Sequence, residues 1–130
     1  MTIEDKIYRK YKIHKISLEE YSNKEKLECL YLAISDSRYY GHLTQAEFLA
    51  YIKKFYYDDQ FNNIYFKWVN NKDDCWLKPS LDHIIPRKNG GDNSLNNIQF
   101  LNWASNKFKS DLSVEDWNKI KSNINFYLEC

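Results

Sequence analysis

Asp82 and His83 stand side by side in an apolar run, residues 81–85; Asn97 and Asn106 follow, the first just before a second apolar run and the second in a stretch of helical spacing. Each offers a definite chemistry. A carboxylate such as Asp82 is an oxygen ligand for a hard divalent cation, and the amide oxygen of Asn106 is a second donor of the same kind. The imidazole of His83, with an unperturbed pKa of about 6.5, accepts a proton near neutral pH.

The elements that must position these side chains are legible around them, in KPSLDHIIPRKNGGDNSLNNIQFLNWASNKFKS, residues 78–110. Pro86 ends the first apolar run. Asn89, Gly90, Gly91, Asp92 and Asn93 form a strong turn signal. A second apolar run covers 98–101, and Trp103, Lys107 and Phe108 then fall at helical spacing. The order read from this pattern is strand, long polar loop, strand, helix. Asp82 and His83 lie on the first strand, Asn97 starts the second, and Asn106 is on the helix. Neighbours on a strand face opposite ways, so Asp82 and His83 need a twist or bend there to serve one site.

SLDHIIPRKNGGDNSLNNIQFL and NWASNKFKSD resemble the HNH endonucleases, whose ββα-metal site carries an Asp-His pair, a later Asn and a helix-borne His or Asn. A weaker likeness to small phage-type HNH nucleases extends to FNNIYFKW before this stretch and SVEDWNKI after it. With Asn106 at the last position, the chain resembles an HNN version. The resemblance implies a metal-dependent DNA endonuclease that hydrolyses phosphodiesters to 5′-phosphate and 3′-hydroxyl ends. It makes His83 the general base and gives Asn97 a hydrogen bond from the other ring nitrogen, fixing the tautomer. It assigns one divalent ion to Asp82 and Asn106; an amide in place of an imidazole favours Mg²⁺ or Mn²⁺ over Zn²⁺. The alternative is a non-catalytic nucleic-acid-binding module, or an accessory protein, on the same fold. One site per chain cuts one strand, so a double-strand break calls for a homodimer or two encounters.

Charge sharpens the expectation about DNA. The chain holds 19 basic and 18 acidic residues, a net charge of +1, which gives no global attraction to nucleic acid. Between positions 78 and 109, however, Lys78, Arg87, Lys88, Lys107 and Lys109 face only Asp82 and Asp92. Arg87, Lys88, Lys107 and Lys109 are the expected phosphate contacts.

Composition bounds the rest. An apolar fraction of 43% with 17% aromatics is ample for a packed core. Cys29, Cys75 and Cys130 form no CxxC pair. Many HNH relatives hold a structural zinc with two such pairs; Asn102 and Ser105 stand where the second would be, so no structural zinc is expected. No apolar run spans a membrane and MTIEDKIYRK lacks a signal peptide's core, so the expected compartment is the cytoplasm, the host's if the chain is phage-encoded.

Helices should flank the motif. Thr2 with Asp5 opens one bearing Ile3, Ile7 and Tyr11. Ser17 with Glu20, or Ser22 with Glu25, opens a second through Leu27, Leu30, Tyr31 and Ile34, followed by a loop over 35–41. Thr44 with Glu47 caps a third bearing Phe48, Tyr51, Ile52 and Phe55. Asp58 or Asp59 caps a fourth with Phe61, Ile64, Tyr65 and Trp68 on one stripe. Ser113 with Asp116 starts a terminal helix along Trp117, Ile120, Ile124 and Leu128. The four tryptophans are read as core residues. The expected fold is α+β, mainly helical around a central ββα-metal motif, with a helical region at 1–58 and the HNH-like module at 59–130.

Overall fold

Capping decides where the helices begin. In the computed structural model, which describes residues 1–36, 43–109 and 112–121, Thr2 and Asp5 close a reciprocal capping box at the start of α1 (Ile3–Tyr11). Thr44 and Glu47 do the same for α3 (Gln45–Phe55). Between them, α2 (Lys24–Ser35) is capped by neither serine box: the Asn23 side chain accepts from Lys26 N, and Tyr56 Oη accepts from Asn23 N at 2.8 Å. A tertiary contact 33 positions away thus fixes the start. Ser35 closes α2, and 37–41 of the expected loop lies outside the described residues.

The chain divides into two units, Met1–Asp58 and Asp59–Cys130. In the first, the stripes of α1, α2 and α3 bury Ile7, Tyr11, Leu27, Leu30, Ile34, Phe48 and Ile52. Tyr11 stacks on Phe48 with ring centroids 3.8 Å apart. Lys26 lies over the Tyr56 ring at 4.0 Å, a cation–π contact that accounts for its burial.

The second unit is built on a two-stranded antiparallel sheet, β1 (Pro79–His83) with β2 (Ile98–Asn102), flanked by α4 (Asp59–Val69) and α5 (Trp103–Lys109). The register pairs Leu81 with Phe100, Asp82 with Gln99 and His83 with Ile98. Strand alternation puts Leu81 and Phe100 on one face and Ser80, Asp82 and Gln99 on the other. On the first face Phe61 of α4 meets Phe100 edge-on at 5.1 Å, and Gln60 donates to the Phe100 carbonyl at 2.8 Å. On the second face α5 bonds to Ser80 and Asp82. Ser113 caps α6 (Val114–Lys121), accepting from Asp116 N, and Trp117 is buried. Ile124 and Leu128 lie outside the described residues. The fold is α+β and mainly helical, as expected. The tryptophans are not all core residues: Trp76 is 51% and Trp103 38% exposed. Among the described residues, no helix is long and apolar enough to cross a membrane.

Candidate active site

The loop between β1 and β2 is held shut by Asn97. Its Oδ1 accepts from Ile85 N at 2.8 Å, while Nδ2 donates to the Ile85 carbonyl at 3.1 Å and the Asp92 carbonyl at 2.8 Å. The Asn97 backbone carbonyl accepts from Ile84 N at 2.8 Å, continuing the ladder past the strand end. Gly91 lies against this clasp, and a Cβ there would fall on the Ile85 carbonyl oxygen. Gly90, at φ 93°, takes the left-handed turn that follows a 3-10 turn at Arg87–Asn89.

Asp82 points toward α5 and is buried, with 6% exposed. Gln99, its partner across the sheet, donates to Oδ2 at 2.9 Å. The Lys109 ammonium lies 3.2 Å from Oδ1 and 3.1 Å from Oδ2, and donates to the His83 carbonyl at 2.8 Å. Two protons of the ammonium are placed on Oδ1 and the His83 carbonyl, with Oδ2 in ion-pair contact. That is how a lysine 1% exposed is accommodated. Burial pushes the Asp82 carboxyl above its usual range, against the pull of the Gln99 hydrogen bond and of Lys109.

The His83 ring bonds to the loop: Nε2 lies 2.8 Å from Asn93 Oδ1. An amide oxygen only accepts, so in this bond the hydrogen belongs on Nε2. This is the bond expected from Asn97, whose amide is given to Ile85 and Asp92 instead. Asn106, in the middle of α5, donates from Nδ2 to Ser80 Oγ at 2.9 Å and to the Leu81 carbonyl at 3.1 Å. These bonds anchor the amide against β1, and its oxygen takes part in neither. Asn102 caps the same helix, accepting from Ser105 N at 2.8 Å.

Residues 74–111 match the family model of the HNH endonucleases. The HNH segment covers less than a third of the chain and contains every residue of this site. Neither a curated protein nor a solved structure matches. The match points to nuclease activity in general, and HNH nucleases act on DNA, generally with a divalent metal ion. To such an ion the HNH segment offers hard oxygen donors in the Asp82 carboxylate and the Asn106 amide. Among the described residues, no group of three or more His, Cys, Asp or Glu side chains could hold an ion.

Of the four basic residues expected on DNA, Arg87 and Lys88 are exposed in the loop of the HNH segment and Lys107 is exposed on α5. Lys107 lies over the Trp103 ring at 4.5 Å. Lys109 is corrected: its ammonium is turned inward onto Asp82, where no phosphate reaches it without displacing that pair. The sequence reading missed Gln99, Asn93 and the inward role of Lys109. Gln99 follows once the strand register is known. Lys109 lies three residues after Asn106 and so shares its helix face. Asn93 carries no distinguishing signal among Asn89, Asn96 and Asn97.

Proposed function

We propose that the chain is a metal-dependent DNA endonuclease, an HNN variant of the small phage type, that hydrolyses phosphodiesters to 5′-phosphate and 3′-hydroxyl ends. The observation that carries this reading is one juxtaposition. Strand β1 bears Asp82 and His83, and Asn106 of α5 is bonded to the carbonyl of Leu81, the residue before them. Asp82 and Asn106 would hold one divalent ion, Mg²⁺ or Mn²⁺, whose charge when bound favours the phosphate and the leaving 3′-oxygen. His83 takes the proton of the attacking water, with Asn93 holding the ring through Nε2. Asn97 acts one step back, shaping the turn that carries Asn93. Arg87, Lys88 and Lys107 contact phosphates. Residues 59–130 form the nuclease module and 1–58 a helical region beside it in sequence; cutting both strands takes two copies or two encounters.

One observation favours the alternative, a module that binds nucleic acid without cutting it: the Asp82 carboxylate is already matched by Lys109 and Gln99. A supercoiled-plasmid assay with Mg²⁺, Mn²⁺ or EDTA, run beside His83→Ala, separates the two. Metal-dependent nicking that the substitution removes supports the nuclease. DNA retention in a gel shift, with no nicking under any metal, supports the binding module.

A further inference from the structure

We propose that Lys109 is the resident counter-cation of Asp82, and that a divalent ion binds this carboxylate by exchange with the Lys109 ammonium. The inference rests on the reading of Asp82 as a metal ligand.

Three observations carry it. The ammonium straddles both carboxylate oxygens, at 3.2 Å and 3.1 Å, while Gln99 occupies Oδ2 from the side at 2.9 Å. A hard cation and the ammonium therefore claim the same oxygens. The pair is also electrically closed: one buried carboxylate balances one buried ammonium. Adding a doubly charged ion beside Lys109 would set three positive charges against one negative, in surroundings that screen poorly. Finally, Lys109 is the last residue of α5 and ends a flexible four-carbon stem, so its head can leave without unwinding the helix. Asn106, one turn earlier on the same face, stays anchored to Ser80 and Leu81. Lys109 thus holds Asp82 aimed, and yields it on loading. This is a positioning role, since the lysine acts through Asp82.

The test is direct Mn²⁺ binding by the full chain, read by electron paramagnetic resonance of the unbound ion, without reference to cleavage. Lys109→Met keeps the stem and removes the charge, and should bind Mn²⁺ roughly tenfold more tightly than wild type. Equal or weaker binding by Lys109→Met, with binding weakened by Asp82→Asn, overturns the exchange and leaves Asp82 a ligand. If Asp82→Asn binds Mn²⁺ as wild type does, the ligand reading itself falls, and the exchange with it. Should Lys109→Met not fold, wild type alone still decides. Acylation of lysines by an activated ester, mapped by mass spectrometry, should spare Lys109 without Mn²⁺ and modify it faster with saturating Mn²⁺. Unchanged protection overturns the exchange.

Discussion

The carboxamide of Asn97 pairs with both backbone groups of Ile85, accepting from its N–H at 2.8 Å and donating to its carbonyl at 3.1 Å. The side chain thereby does what a further residue of a strand would do, just past the point where β1 ends. Asn97→Ala leaves an N–H and two carbonyls of a partly buried loop without partners, at a cost of about 1–3 kcal/mol. Urea unfolding should show the lower midpoint. A midpoint equal to wild type would mean that the loop closes without this clasp.

Gly91 should tolerate no side chain. A Cβ at this position meets the Ile85 carbonyl oxygen and lies 2.8 Å from Asn97 Nδ2, so Gly91→Ala must push apart the contacts that Asn97 makes. Loss of stability at least as large as that of Asn97→Ala is expected. Because both changes strike one clasp, the double variant should be less destabilised than the sum of the singles, a non-additivity that a double-mutant cycle reads.

Asn93 and Asn97 should separate by what they damage. Asn93→Ala removes the oxygen that holds His83 Nε2, so turnover should fall roughly 10–100-fold with little change in unfolding midpoint. His83→Ala should abolish turnover with the fold retained. An Asn93→Ala protein with full activity would show that the ring keeps its tautomer without this bond.

Away from the HNH segment, the Glu4–Lys24 pair gives a pH-dependent signal. The Lys24 ammonium lies 2.9 Å from Glu4, and its hydrogen bond holds that carboxyl below its ordinary value of 4.5. A lowered folded-state pKa contributes stability above the unfolded value, and that stability is lost as pH falls through the folded one. Lys24 is 44% exposed, so the effect is small, about 0.2–1 kcal/mol at neutral pH. Glu4→Gln should be less stable than wild type at neutral pH by that amount and converge with it in acid. Parallel stability curves for the two proteins across this range would remove the assignment.

What could be read from the sequence was local. The boxes at Thr2 and Thr44 each lie within four residues, and both close in the structure. The ββα order followed from two apolar runs and a turn signal. What could not be read depended on residues distant in sequence. Asn23 rather than a serine starts α2 because the Tyr56 hydroxyl meets its backbone. Which asparagine faces His83 is a matter of how a loop rich in asparagine turns, and residue type does not carry that. Lysines mostly cover surface, so Lys109 reads as exposed until its partner 27 positions earlier is known.

Because the loop is cinched at its base, its tip is insulated from the chemistry below. Gly91 N bonds to the Pro86 carbonyl at 3.1 Å, and Asn97 holds Ile85 and Asp92. Arg87, Lys88, Asn89 and Gly90 lie beyond that waist and are exposed. Chain added between Lys88 and Asn89 gives up the bonds of the 3-10 turn, Asn89 N to the Pro86 carbonyl and Gly90 N to the Arg87 carbonyl. It adds the entropy of a longer closed loop, about 0.6 kcal/mol for each doubling of length, while the Asn97 bonds stay in place. The tip is the place where foreign sequence-reading peptides can be grafted onto this scaffold while His83 and Asp82 keep their partners.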